Sequence, residues 1–406
     1  MEIPRSKGQG GQDPDPVLVL GAGYAGISVA RWISHLTRQR TRVTIIDRLP
    51  EHVFRNELFK LDQMVRGRQG VNRWSIPVRT ALGSMSPSTE FFEGTVESID
   101  LDSRTVQAGP RSLSYSALAI ALGSVPAYYH IPGAEQYTCK VYSLKDAMQA
   151  AQSIQQYVKE LVSGPSPRSP HIVVVGGGST GTEVASEIAD AQWSTGTPGD
   201  APRPSVDLVT GSVPFLLGLD ETSIRRARAL LMKEGVRLVE DRNVRSVAPH
   251  ELALEDGTVL PFDVCIWCAG IEAPPVLRNL PIPHGHGGRL RVEATLELPG
   301  WPGVFGVGDV IELEDPVSGI PVPATAQAAL AEAPYAARNI VARLKGHPLV
   351  PFHYRETSTL VSVGEKSAVG VVHRIPIWGT PAHLLKAAVE REYALTRGHG
   401  VWPWGL

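Results

Sequence analysis

Residues 16–47 read PVLVLGAGYAGISVARWISHLTRQRTRVTIID, and the order of residue types in this stretch decides the fold. Val17 to Leu20 is a short apolar run that suits a buried parallel strand. Gly21-Ala22-Gly23-Tyr24-Ala25-Gly26 follows at once as G-x-G-x-x-G, then a helical stretch from Ile27 to Leu36, then a second apolar run, Val43 to Ile46, ending on Asp47. Gly21 permits the tight strand-to-helix turn, Gly23 lets the backbone approach a pyrophosphate, and Gly26 lets helix and strand pack closely. Phosphates would sit at the helix N-terminus, where free amide N–H groups and the helix dipole favour negative charge. Asp47 lies 21 residues past Gly26, where a carboxylate can accept hydrogen bonds from a ribose diol.

The same pattern returns further on. His171 to Val175 is an apolar run, Gly176-Gly177-Gly178-Ser179-Thr180-Gly181 is a second G-x-G-x-x-G, and a helical stretch continues from Glu183 to Ala191. Gly176, Gly178 and Gly181 take the places of Gly21, Gly23 and Gly26. Two such units imply two dinucleotides, or one dinucleotide and a related cofactor, held by two similar domains. The fold class is therefore α/β, with two Rossmann-like domains. The expected layout is a tail over 1–15, a first domain over 16–140 and 286–350, a second domain over 141–285 inserted in it, and a small C-terminal α+β unit over 351–406.

Composition narrows the function classes. The chain has 406 residues with 20% charged and 43% hydrophobic residues, enough for two or three domains with full cores. A net charge of −2 gives no footprint for nucleic acid. Residues 1–15 are polar and rich in Gly, Pro and Asp, which reads as a disordered tail rather than a signal peptide. No apolar run approaches ~18 residues, so no membrane-spanning helix is expected. Cys139, Cys265 and Cys268 do not form a disulfide framework. Cys265 and Cys268 stand three apart in DVCIWCAG, a strand, where they would face opposite sides as core thiols. A cytoplasmic location fits that usage. His284 and His286 have no third ligand nearby, so no metal site is expected.

Other elements are legible from patterning. Phe91 to Val96 and Thr105 to Ala108 read as strands around the turn LDSR, and Ser114 to Leu122 as a further strand. Ser143 and Asp146 form a capping box before a helix reaching about Val162. Ile224 to Glu234 reads as a helix, and residues 236–239, 244–248, 251–254, 264–267 and 304–307 as strands. Residues 321–344 begin as a loop and become an alanine-rich helix. The last 56 residues read as two strands, Thr359 to Val363 and Ala368 to Val372, then a helix from Ala382 to Thr396.

The series of the first G-x-G-x-x-G with Asp47, ALGS at 121–124, the second G-x-G-x-x-G, GVGD at 306–309 and ATAQ at 324–327 resembles the two-dinucleotide-binding-domain flavoproteins. Within them, ATAQ, TGTEVASEIAD at 180–190, IWCAG at 266–270 and the C-terminal unit are most similar to the type II, non-proton-pumping NADH:quinone oxidoreductases. The resemblance implies FAD across the first domain, with Gly21, Gly23, Tyr24, Ala25 and Gly26 around its pyrophosphate. It implies Asp47 at the adenosine ribose, Arg48 beside the adenine, the Val96 backbone on the adenine, and Asp309 on the ribityl chain. Gly123, Gly308 and Ala326 fall within the matching motifs as further cofactor contacts. The second fingerprint would hold NAD(P)H. Glu183 matches a catalytic glutamate near the nicotinamide, although a carboxylate in the first turn of a helix is favourable by itself. Gln327 is the residue for the quinone side, because an amide can bond a carbonyl oxygen without carrying charge into an apolar pocket.

The implied reaction moves a hydride from nicotinamide to flavin and two electrons to a quinone, menaquinone or ubiquinone. One departure bears on the cofactor: NADH-preferring relatives carry an acid at the end of the second domain's second strand, and here Thr210 stands there, followed by Gly211 and Ser212. The preference between NADH and NADPH is left open. The resemblance also implies peripheral contact with the cytoplasmic membrane face through the C-terminal unit, with Leu384, Leu385, Ala388 and Leu395 on an apolar face and Trp378, Trp402 and Trp404 near headgroup level. A homodimer is left open. The rival reading is a soluble NAD(P)H-dependent flavin reductase of a ferredoxin or other small acceptor. Residues 17–138 contain no cysteine, which rules out the redox disulfide of the disulfide reductases.

Overall fold

The computed structural model describes residues 15–65, 73–83, 88–163, 168–191, 193, 203–355 and 358–396. In chain order, β1 (Val17–Leu20), α1 (Tyr24–Leu36), β2 (Val43–Asp47), β3 (Thr89–Glu93) and β4 (Ala117–Ile120) open the first domain. The second domain follows: β5 (Cys139–Lys140), α2 (Leu144–Ser163), β6 (His171–Val175), α3 (Ser179–Asp190), β7 (Ser205–Val209), α4 (Glu221–Lys233), β8 (Val236–Val239) and β9 (Val264–Trp267). The chain then returns through β10 (Val304–Gly306) and α5 (Ala326–Lys345). It ends in β11 (Ser358–Ser362), β12 (Ala368–Val372), β13 (Ile375–Gly379) and α6 (Thr380–Thr396).

The first sheet is parallel in the order β10-β4-β1-β2-β3, and the second is parallel in the order β5-β9-β6-β7-β8. In both, the strand that feeds the glycine loop lies at the centre. β1 is buried along its whole length, as a central strand covered on both faces must be. β10 comes after the whole second sheet in sequence yet pairs with β4, so the second domain is inserted in the first. The two crossings lie side by side, with Val125–Pro126 paired antiparallel to Ile271–Glu272.

Three expectations change. Phe91 to Val96 is two strands, because Gly94 separates β3 from Val96–Asp100, which pairs with Thr105–Ala108 and then Arg111–Ser114 in an antiparallel meander. Ser114 to Leu122 likewise divides: Ser114 closes the meander, and β4 begins at Ala117. The C-terminal unit has three strands rather than two. β13 carries Pro376, which cannot donate to a ladder, and it sits at the sheet edge where no donor is needed. The capping box forms as read, with Ser143 Oγ accepting from the Asp146 amide (3.1 Å) and Asp146 Oδ2 accepting from the Ser143 amide (3.0 Å).

The C-terminal unit is packed into the body. Val361, Val363 and Val369 share one core with Leu58, Phe59 and Leu61 of the first domain and with Val184 and Ile188 of α3.

Candidate functional site: two phosphate cradles

The two glycine loops are built alike. Gly21 has φ +102° and Gly176 has φ +120°; a Cβ on either would lie 2.3 Å from the Ala121 carbonyl oxygen or 2.2 Å from that of Cys268. A Cβ on Gly26 would lie 1.9 Å from the Gly21 carbonyl oxygen, and one on Gly181 1.8 Å from that of Gly176. Helix and strand therefore meet at a distance only glycine allows. Gly23 and Gly178 behave oppositely: a Cβ on either meets nothing within 4 Å. Each is the N-cap of its helix, and neither offers a side-chain cap. Each loop thus opens a glycine-lined space onto a helix N-terminus whose first-turn amides have no intrahelical partner, the environment that a diphosphate satisfies. The residues present fit FAD at the first loop and a nicotinamide dinucleotide at the second.

Tyr24 and Ala25 already belong to α1, which starts three residues before the Ile27 read from the sequence. Asp47 ends β2; its Oδ2 accepts from the Ala22 amide (2.7 Å) and its Oδ1 from the Leu49 amide (2.9 Å), which orients the carboxylate beside the loop. Arg48 is exposed next to it. The Gly94 amide donates to the Asp47 carbonyl (2.9 Å), and Val96 follows two residues on, so the chain brings Val96 back to this end of the sheet. Gly123 has φ +69° just past β4. Ser124 Oγ donates to Asp309 Oδ2 (3.1 Å), tying ALGS to GVGD across the sheet. A Cβ on Gly308 would lie 3.1 Å from Ala25 Cβ and 3.4 Å from Ala329 Cβ, so α1 and α5 converge on the same point. Ala326 opens α5, whose N-cap Thr325 accepts from the Ala328 amide (3.2 Å), and Gln327 is half-buried in its first turn.

Equivalent positions in the second loop differ in one respect. The register Leu20–Ile46 in the first sheet and Val175–Val209 in the second makes Gly177 the counterpart of Ala22, and Thr210 the counterpart of Asp47. Thr210 is buried, and its Cγ2 lies 2.5 Å from where a Cβ on Gly177 would be. A methyl group stands where the first loop has a carboxylate.

Glu183 lies in α3 but is turned toward the C-terminal unit. Its Oε1 accepts from Lys386 Nζ (2.5 Å) and from the Ser362 amide (3.0 Å), and it is 8% exposed. Lys386 also lies 3.2 Å from Glu390, which reaches Lys60 at 3.1 Å, and Lys60 reaches Glu57 at 3.2 Å. Although burial works against it, the flanking carboxylates hold the Lys386 ammonium above its ordinary value; the two lysines hold Glu390 below its own. Motif reading found none of these partners of Glu183. It also missed Glu332, a buried carboxyl on α5 whose Oε2 accepts from the Gly308 amide (2.6 Å); burial pushes it up to about 8. Asp62 and Glu187 form a buried carboxyl pair, and burial together with their shared hydrogen bond pushes Glu187 well up.

The expected apolar face of α6 is not the buried one. Leu384 is 62% exposed and Ala388 is exposed, while Lys386, Glu390 and Tyr393 face inward. Leu395 and Trp402 and Trp404 lie outside the described side chains. The three cysteines are free, with Cys265 buried. His284 bonds the backbone carbonyls of Gly288 and Leu280, and among the described residues no group of His, Cys, Asp and Glu could hold a metal.

Residues 15–333 match the family model described as pyridine nucleotide-disulphide oxidoreductase. The chain belongs to that family. Among curated proteins this oxidoreductase is similar to the demethylphylloquinone reductase NdbB of Synechocystis, at 27% identity over 87% of this chain and 85% of the relative. It is similar also to the type II NADH:quinone oxidoreductase Ndh of Mycobacterium tuberculosis, at 27% identity over 93% and 84%. Among solved structures, NDH2 of Plasmodium falciparum in complex with NADH superposes with a TM-score of 0.81 at 15% identity, covering 97% of this chain and 99% of that one, which shows a shared fold. Within this family the chain is set apart from the disulphide enzymes by having no cysteine between residues 17 and 138.

Proposed function

We propose that this oxidoreductase uses FAD to pass electrons from NAD(P)H to a quinone, without driving protons across a membrane. The observation that carries the reading is the pair of matching uncapped cradles, one of them provided with a ribose-side carboxylate, Asp47, and with Asp309 beside it. The named relatives, a demethylphylloquinone reductase and a type II NADH:quinone oxidoreductase, support a quinone as acceptor. When bound, FAD would supply the two-electron chemistry.

The chain's own residues then have distinct tasks. The Gly23 and Gly178 loops bind diphosphates on helix N-termini. Asp47 and Asp309 orient hydroxyl groups. Gln327 donates its amide N–H to a quinone carbonyl, which fixes the ring without a buried charge. Glu183, held by Lys386 and the Ser362 amide, is the carboxylate assigned to catalysis at the second cradle, and Lys386 holds a proton on Nζ between Glu183 and Glu390. Arg48, Val96, Gly123, Gly308 and Ala326 line the FAD. Thr210 places no negative charge against a 2′-phosphate, so NADPH meets no repulsion at this position. Among the described residues no helix is long and apolar enough to cross a membrane. Peripheral contact with the cytoplasmic membrane face is proposed for Ile375, Trp378 and Leu384, which are 68%, 41% and 62% exposed on the C-terminal unit.

The test is to reduce the holoenzyme anaerobically with NADH and mix it with a menaquinone analogue, with ferredoxin as the competing acceptor. Quinone is expected to reoxidise it faster. Gln327→Ala is expected to slow that step about tenfold while bleaching by NADH keeps its rate, in line with loss of one well-placed hydrogen bond. Faster reoxidation by ferredoxin, or an unchanged quinone step in the variant, would count against the reading.

A further inference from the structure

One face of α6 touches both cofactor domains. Lys386, Glu390 and Tyr393 stand at i, i+4 and i+7 and reach Glu183 of α3, Lys60 and His52 in turn. The last contact has the most specific chemistry. His52 is 2% exposed, with Nδ1 2.9 Å from the Ala22 carbonyl oxygen and Nε2 3.0 Å from the Tyr393 hydroxyl. A carbonyl oxygen only accepts, so Nδ1 carries the proton and donates. Burial pushes the ring's protonation down to about 4, so the imidazole is neutral, its Nε2 accepts, and the Tyr393 hydroxyl donates. The tautomer is set from both ends. Around it, the Tyr24 ring stands edge-on to His52 at 5.2 Å and lies 4.9 Å from Tyr393, and Phe54 packs edge-on against both.

Ala22 and Tyr24 are two of the three non-glycine residues of the first G-x-G-x-x-G. The Ala22 amide donates to Asp47 and its carbonyl accepts from His52, so the two successive peptides that flank Ala22, where the first cradle turns, are each held by a side chain. One hold comes from the neighbouring strand. The other comes from His52, which is itself held by Tyr393 from the far end of the chain.

We propose that Tyr393, acting through His52, is a positioning residue for FAD: the C-terminal helix latches the first phosphate cradle in its binding shape. This rests on the reading of that cradle as the FAD site. Tyr393 works by keeping His52 in the tautomer and rotamer that hold the Ala22 carbonyl. A cradle that loses this hold samples other loop shapes, and the cost falls on retention of FAD rather than on hydride transfer from NADH.

The experiment is the rate of FAD release from holoenzyme, followed by the rise in free flavin fluorescence, for wild type, Tyr393→Phe, His52→Leu and the double variant. Tyr393→Phe keeps the ring and removes one buried hydrogen bond, so release is expected about fivefold faster. His52→Leu removes both bonds and is expected to release faster still. The double variant is expected to match His52→Leu alone, because the hydroxyl acts only through the imidazole. The melting temperature of the flavin-free protein is expected to move little in Tyr393→Phe, which separates latching from general loosening. Unchanged release in Tyr393→Phe, or additive effects in the double variant, would overturn the latch. A wild-type protein that retains no flavin would instead overturn the FAD reading, and the latch with it.

Discussion

The two cradles are copies in backbone and unlike in what braces them. Both centre on a strand that turns through a positive-φ glycine into an uncapped helix, and both have the third glycine pressed against the first. The first is held by polar groups aimed at the loop itself: Asp47 on the Ala22 amide and His52 on its carbonyl. The second has a Thr210 methyl against Gly177, and its polar brace, Glu183 with Lys386, lies one turn along the helix. The first arrangement suits a cofactor that stays through many turnovers. The second suits one that enters and leaves at each turnover.

The harshest way to break the comparison is to fill the helix–strand contact. Gly26→Ala and Gly181→Ala each force a Cβ to within 2 Å of a carbonyl oxygen. Each is expected to cost about 3 kcal/mol, near 100-fold in cofactor affinity. Flavin absorbance after purification should fall in Gly26→Ala. In Gly181→Ala flavin should stay while titration shows weakened NADH binding.

Acid separates the braces next. His52 protonates near 4 in the folded protein, against an ordinary value of 6.5, because it is buried. The stability that its neutral form contributes is complete above pH 6.5. It is lost progressively as the pH falls toward 4, since the unfolded chain takes up the proton first. Between pH 6.5 and 5 this amounts to roughly 2 kcal/mol. In the second brace burial holds Glu183 above its ordinary value while the two lysines hold Glu390 below its own, so it is the Lys386–Glu390 pair that persists through that window. Flavin release measured against pH should therefore rise between 6.5 and 5, and His52→Gln should flatten the rise.

A smaller effect is expected from making the second cradle like the first. Thr210→Asp places a carboxylate where Asp47 stands in the first domain. It should favour NADH over NADPH by about tenfold, through repulsion of the 2′-phosphate. The ratio of kcat/KM for the two cofactors checks it.

What the sequence revealed and what it hid follow the same division. The cradles were legible because strand, glycines, helix and acid lie within about 32 residues, and each residue type is demanded by local geometry. The insertion of one domain in the other followed from the second fingerprint and from GVGD beyond it. The braces were not legible. Tyr393 lies 341 residues from His52, and Lys386 lies 203 from Glu183. A buried pair so far apart leaves no periodicity. On α6, nothing in the local pattern marks Lys386 and Glu390 as buried, and each is buried because the other and its partners neutralise it. Glu332 was hidden in an alanine-rich helix for the same reason: only the fold shows that the Gly308 amide is waiting for it. β13 escaped because its proline reads as a breaker until its edge position is known.

The most direct measurement is anaerobic rapid mixing of the purified, FAD-supplemented protein with NADH, followed at the flavin absorbance band. Two cradles that serve one reaction should give a yellow protein that bleaches on mixing and recovers its colour when a quinone is added. A colourless protein, or a yellow one that NADH leaves unchanged, would contradict the account.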